Sequence, residues 1–154
     1  VLGKKAGLTV IILDGLKAFF VVWLCTLWIP QAAVPAGLCC CIGHCFPVFA
    51  GFRGGKAVAT TYGYLLAAGL FATGQPVMMF VIPLLIFLIT LKLSKMVSLS
   101  SIVGIGSAAL LTTFCQSDWI ITLSIWILWL FVTYRHRANI QRIRNHTEKK
   151  ITWM

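Results

Sequence analysis

Apolar residues fall along this chain in six stretches, at about 8–29, 32–49, 57–71, 77–91, 97–114 and 119–134. Short breaker segments divide them: IPQAAVP, GFRGG, ATGQP, KLSK and CQSD. A helix needs about 20 apolar residues to cross the hydrocarbon of a bilayer. The pattern therefore predicts an all-α, polytopic membrane helix bundle with six transmembrane segments, organised as one domain over residues 1–154. The third and fourth stretches are short for a span, which implies tilt or a locally thinned bilayer.

Composition strengthens this reading. Hydrophobic residues make up 60% of the 154 positions and charged residues 10%, with mean hydropathy +0.95. A soluble domain carries about a quarter charged residues. The charges also have a direction. Thirteen Lys and Arg stand against Asp14, Asp118 and Glu148, for a formal net charge of +10. Lys4 and Lys5 precede the first stretch, Arg53 and Lys56 follow the second, and Lys92 and Lys95 follow the fourth. Arg135, Arg137, Arg142, Arg144, Lys149 and Lys150 follow the sixth. The alternate connections hold no Lys or Arg. Six spans place every basic connection and both termini on one side, which the positive-inside rule makes cytoplasmic. Such a basic excess suits anionic lipid or an anionic substrate. Nucleic acid is excluded as a partner, because the chain lacks the soluble surface a duplex needs.

Two features interrupt the apolar background. Lys17 lies within the first span, three residues after Asp14, so the pair shares a helix face. An intramembrane ion pair hints at function; a pair near the cytoplasmic end with a snorkelling lysine is the structural alternative. The run CCCIGHC, with Cys25 and Cys115 elsewhere, matches no common zinc spacing. The six cysteines read as small buried packing residues, and no metal is expected.

The densest polar group is GHCFPVFAGFRGGKAVAT, residues 43–60. Gly54 and Gly55 allow backbone N–H groups to converge on an anion. The helix that begins near Lys56 adds free N–H groups and a positive dipole end, and Arg53 and Lys56 add charge. The segment is not a Walker A loop, because Ala50 and Ala57 stand where that motif needs Gly and Ser/Thr. A positive-inside loop with a flexible turn remains the plain alternative. Downstream, Ala59, Gly63 and Ala67 form a small-residue stripe for close helix packing.

The basic C-terminal segment divides by face. His136, Asn139, Ile140 and Ile143 share one side, and Arg137, Gln141 and Arg144 another. The arginines read as a juxtamembrane tail on anionic lipid, while His136 and Asn139 read as site residues. No G-x-S-x-G occurs, and no His is followed five positions later by Asp. With three acids in all, a general acid/base carboxylate pair is not expected.

These residues carry a resemblance. GHCFPVFAGFRGGKAVAT resembles the central motif, and HRANIQRIRNHTEKKI the C-terminal motif, of the bacterial acyl-phosphate:glycerol-3-phosphate acyltransferases, the PlsY family. LGKKAG…LDGLKAFF and KMVSLSSI are similar to two further segments of that family, in the same order. The chain departs from the family pattern at four places. The family usually has Lys where Arg53 stands, Gly where Ala57 stands, Glu at Ala138 and Gly near His146.

The resemblance implies transfer of an acyl group from acyl phosphate to the 1-hydroxyl of glycerol 3-phosphate, giving lysophosphatidic acid for phospholipid synthesis. It places the enzyme in the bacterial cytoplasmic (inner) membrane with its active site facing the cytoplasm. Acyl phosphate is already activated, so positioning and charge stabilisation suffice without a nucleophile. In this reading Arg53, Gly54, Gly55 and Lys56 hold phosphate, with Thr60 adding a hydroxyl and Ser98 and Ser101 as further candidates. His44 orients or deprotonates the acceptor hydroxyl, and His136 and Asn139 complete the pocket. Substrates and membrane lipid are the partners, with no cofactor and no obligate protein partner. The family also has a first helix and a Ser/Gly/Asn-rich motif upstream of the region matched here, making seven spans, so residues 1–154 alone are expected to be inactive. Two other classes fit the composition: a small anion transporter, which would give flux without covalent change, and a non-catalytic membrane subunit, which would tolerate loss of Lys56.

Overall fold

The computed structural model describes residues 3–52 and 54–152. Every apolar stretch of the sequence is helical, and the described chain is arranged as two compact units, Val1–Pro76 and Val77–Met154.

In the first unit, helix α1 (Gly3–Trp28) runs 26 residues, about 39 Å at 1.5 Å per residue. Pro30 ends it and opens a short 3₁₀ turn, Pro30–Ala32, that leads into α2 (Ala33–Cys45). Pro47 lacks the N–H that a continuing helix would need, so α2 stops and the chain turns through Val48–Ala50. Helix α3 (Val58–Ala67) continues into a wider π-helical turn, Ala68–Ala72, before Gly74 reverses the chain with φ of +66°.

The predicted small-residue stripe is what lets α3 approach α1. A β-carbon at Gly63 would overlap the Gly15 carbonyl, and one at Gly15 would lie 3.4 Å from the Ala59 carbonyl oxygen. Tyr64 fills the space beside α2, where a β-carbon at Gly37 would overlap its ring. Cys41 and Cys45 join this buried packing, but Cys25 and Cys40 are half-buried and Cys39 and Cys115 exposed. Consecutive helix residues point about 100° apart, so Cys39, Cys40 and Cys41 could not all face inward.

In the second unit a π-helical turn, Val77–Val81, leads into α4 (Ile82–Ser94). Lys95 ends α4 in a left-handed conformation, and α5 (Val97–Cys115) follows. Helix α6 (Trp119–Arg135) is capped by Asp118, whose Oδ1 accepts from the Ile120 N–H at 2.8 Å. Trp129 donates its indole N–H to the Ile102 carbonyl at 3.0 Å and Trp126 to Thr113 Oγ1 at 2.9 Å, which ties α6 to α5. A 60° bend at His136 starts α7 (Arg137–Arg144).

Among the described residues, four helical segments are long and apolar enough to cross a membrane: Lys5–Trp28, Pro30–Ala50, Val77–Ser94 and Val97–Cys115. Trp119–Arg135 with Arg137–Arg144 makes a fifth if the bent pair is one span. The apolar helix Val58–Ala72 is shorter; its 15 residues rise about 22 Å, against about 30 Å of hydrocarbon. Length and composition thus support four or five crossings and do not by themselves reach the expected six.

Candidate functional site

Two polar clusters stand out, one in each unit. In the first, the chain from Phe46 to Ala57 links α2 to α3. Phe46 N–H donates to the Gly43 carbonyl at 3.0 Å, and Gly54 N–H donates to the Cys45 carbonyl at 3.2 Å. The double glycine is thereby folded back onto the end of α2. A β-carbon at Gly54 would overlap the His44 carbonyl, and one at Gly55 would lie 2.6 Å from His44 Nε2. His44 crowds both glycines, and Pro47 and Cys45 crowd Gly54 as well. The left-handed positions in this segment include Gly51, Phe52 and Ala57 rather than Gly55.

Ala57 is the residue before α3, at φ of +57° and ψ of +19°. The resemblance implies glycine here, and this left-handed conformation is the one glycine adopts without a steric cost. Lys56 and Gly55 are exposed, at the N-terminal end of α3 where backbone N–H groups lack helical partners. Thr60, one turn on, is fully buried, and its hydroxyl has no hydrogen-bond partner among the described residues. Arg53 lies outside the described residues.

His44 does not stand alone. Its Nδ1 is 3.7 Å from Asp14 Oδ1, and the same oxygen accepts from Lys17 Nζ at 2.6 Å. The two ring nitrogens thus face a carboxylate on α1 and the Gly55 backbone. The Asp14/Lys17 pair, ambiguous in the sequence, belongs beside this turn, with Lys17 itself exposed.

The second cluster is closed. His136 and Asn139 are buried, at the bend between α6 and α7, as their shared face predicted. His136 Nδ1 lies 2.8 Å from the Val132 carbonyl oxygen. A carbonyl only accepts, so the proton sits on Nδ1 and Nε2 is the basic nitrogen of the neutral ring. Asn139 Nδ2 donates to Glu148 Oε1 at 2.7 Å, Ser98 Oγ donates to the same oxygen at 2.6 Å, and Arg142 Nε donates to Oε2 at 2.8 Å. Ser101 is turned away from this group, giving its hydrogen to the Val97 carbonyl of its own helix at 2.8 Å. Desolvation pushes the Glu148 carboxyl up. The hydrogen bonds from Ser98, Asn139 and Arg142, with the Arg142 charge, outweigh it and bring the pKa down to about 2.

The chain reaches Glu148 through a tight helix stop. Thr147 N–H donates to the Arg142 carbonyl at 2.8 Å and His146 N–H to that of Ile143 at 3.1 Å, with His146 at φ of +57°. This is the Schellman pattern, whose left-handed residue is usually glycine. The resemblance implies a glycine near this position. Ile151 N–H then pairs with the Lys95 carbonyl at 2.8 Å, fixing the tail to the turn between α4 and α5.

Asp14 and Glu148 are the residues that sequence reasoning did not assign to these clusters. Their signal was rarity, since two of only three acids in the chain sit here. Their partners lie 30 and 50 positions away, at His44 and Ser98, beyond the reach of any helical spacing.

Comparison with known proteins places the chain in a family. A family described as "Glycerol-3-phosphate acyltransferase" matches residues 1–146. A protein of that name from Listeria monocytogenes serotype 4a is 46% identical over 168 residues, covering 100% of this chain and 76% of its own length. Another, from Geobacillus kaustophilus, is 42% identical over 154 residues, covering 99% of this chain and 75% of its own. Two crystal structures of PlsY, an integral membrane glycerol 3-phosphate acyltransferase, superpose with TM-score 0.89 at 30% identity. They are described as its glycerol 3-phosphate and lysophosphatidic acid forms, and this chain spans 74% and 76% of them.

Proposed function

The chain belongs to the glycerol-3-phosphate acyltransferase family, and from that premise we propose that it acylates glycerol 3-phosphate to lysophosphatidic acid, with acyl phosphate as the donor. The observation that carries this reading is the turn at Gly54–Lys56: a lysine and the open end of α3 stand exposed together, beside two glycines held tight against His44. Lys56, with the N–H groups that begin α3, holds a substrate phosphate by charge-assisted hydrogen bonds. Arg53 is proposed to add charge to it, and the unpaired Thr60 hydroxyl is its remaining donor. His136 and Asn139 are the neutral polar groups of the second unit proposed to act on substrate. Ser98 has committed its hydrogen to Glu148 and is proposed as a support for that cluster, while Ser101 gives its hydrogen to its own helix.

An acyl phosphate is a mixed anhydride with a good leaving group. Attack by the acceptor hydroxyl on the acyl carbon expels inorganic phosphate, and the hydroxyl proton leaves with a nearby base or with the departing phosphate. No covalent acyl-enzyme is needed. Membranes holding the enzyme should form lysophosphatidic acid from acyl phosphate and glycerol 3-phosphate, and not from acyl-CoA alone. Equal rates with acyl-CoA, free of acyl phosphate, would overturn the donor assignment.

The location proposed is the bacterial inner membrane, with the Gly54–Lys56 turn at the cytoplasmic face. The run of basic connections supports it. A reporter fused at the C-terminus should read the cytoplasm, and one at Gln75 the opposite side. A reversed pair would overturn the orientation.

A further inference from the structure

We propose that Asp14 and His44 act together as positioning residues for the phosphate-binding turn, with the imidazole as a wedge and the carboxylate as its anchor. This rests on reading Gly54–Lys56 as that turn. The sequence alone left His44 as a group that orients or deprotonates the acceptor, and left the Asp14/Lys17 pair without a role. The geometry gives both a different part.

His44 occupies the penultimate position of α2, and the two faces of its ring are taken. Nδ1 points to Asp14 Oδ1 at 3.7 Å, and Nε2 lies so near the Gly55 backbone that a β-carbon there would come within 2.6 Å of it. A ring tip can normally swing away from such a contact. Here the carboxylate of α1 stands 3.7 Å from the opposite nitrogen, and an electrostatic attraction at that distance would restrain the swing. Lys17 holds that carboxylate from the solvent side at 2.6 Å. Meanwhile the His44 carbonyl blocks any side chain at Gly54. With Pro47 and Cys45 beside Gly54, the same residue therefore constrains both glycines just before Lys56. A chain of contacts runs from an ion pair on α1, through the imidazole, to the backbone that presents Lys56 and the first N–H groups of α3.

A wedge that shapes a binding turn affects how well the anion is held in both ground and transition states, and this appears in KM. The experiment uses the full-length enzyme in membranes, with acyl phosphate and varied glycerol 3-phosphate. His44→Ala and Asp14→Ala should each raise KM about tenfold while kcat changes less than about threefold. The distinguishing measurement is coupling to Gly55. Gly55→Ala should be costly in the wild-type background and lose most of its cost in either His44→Ala or Asp14→Ala, because the ring is then gone or able to swing. His44→Gln and Asp14→Asn keep side-chain size and serve where an alanine variant fails to accumulate, with the same direction expected.

Lys56→Ala is measured alongside. An unchanged KM in Lys56→Ala overturns the phosphate reading and this inference with it. A raised KM there, with Gly55→Ala equally costly in all three backgrounds, overturns this inference alone. Loss of kcat at constant KM in His44→Ala also overturns it, in favour of proton transfer.

Discussion

The turn at Gly54–Lys56 and the cluster around Glu148 solve opposite problems. The Glu148 carboxylate is enclosed and saturated, with three side chains donating to its two oxygens. Lys56 is exposed, and the backbone before it is shaped from behind by a residue that offers the solvent little. The first kind of arrangement fixes side chains before any substrate arrives. The second presents an exposed charge and the first N–H groups of a helix to an incoming anion. Burying a charge is tolerable only when its partners are complete, so the closed cluster is where stability should be most sensitive and the open turn is where binding should be.

The largest effect expected from breaking this contrast is at Glu148. Glu148→Ala leaves the buried Asn139 amide and the Ser98 hydroxyl without their acceptor, which costs on the order of 3 kcal/mol. Thermal unfolding of the detergent-solubilised protein should fall, and protease should cut the C-terminal tail earlier. A tail as resistant as the wild type would show that Ile151 and the helix stop suffice. Acid makes the same point without mutation. The folded carboxyl has its pKa lowered from 4.5 to about 2. Between those values the unfolded chain binds more protons, so this contribution is complete above the unfolded pKa and disappears as pH falls toward the folded one. Protease sensitivity of the tail should rise over that window, and Glu148→Gln should show no such step.

Next is Lys56. Lys56→Ala removes one charge-assisted hydrogen bond to phosphate, roughly 1.5–3 kcal/mol, or about one to two decades in kcat/KM for glycerol 3-phosphate. Unfolding temperature should barely move, since the side chain is exposed. Lys56→Arg should also be poor, because a planar fork does not replace a compact ammonium in a tight turn. Wild-type kinetics in the alanine variant would reduce Lys56 to an orienting charge of the membrane topology.

How far these two regions were legible follows from the range of their contacts. Helices were legible because apolar runs and prolines are local signals, and the pairing of His136 with Asn139 was legible because a three-residue spacing fixes a face. The small-residue stripe announced the α1–α3 approach, although nothing local named Gly15 as its partner. The reason for Gly54 and Gly55 was not legible. The residues suggested freedom to curl around an anion, whereas the structure uses their lack of a β-carbon to admit His44. Glu148 was invisible as a hub because its reach to Ser98 depends on a left-handed residue at 146 that the sequence disguises as histidine. The span count was legible as six apolar runs, but Val58–Ala72 is shorter than a full crossing, so length and composition support four or five of them.

The smallest effects sharpen the comparison best. Each region contains a residue other than glycine held left-handed, Ala57 at the open turn and His146 at the closed cluster. A side chain in that conformation costs roughly 1–2 kcal/mol. Replacing it with glycine recovers this and gives back about 0.4–1 kcal/mol through the freer unfolded chain. At His146, which is exposed, nothing else is lost, so His146→Gly should stabilise the protein by about 0.5 kcal/mol. Ala57 is 2% exposed, and removing its buried methyl forfeits about 0.8 kcal/mol more. Ala57→Gly should therefore be close to neutral for unfolding. Paired unfolding measurements test the difference between the two sites, which is more secure than either value because the backbone terms are shared. If Ala57→Gly stabilises as much as His146→Gly, the Ala57 methyl contributes nothing to the packing where α3 begins, and the turn is looser behind Lys56 than the wedge of His44 requires.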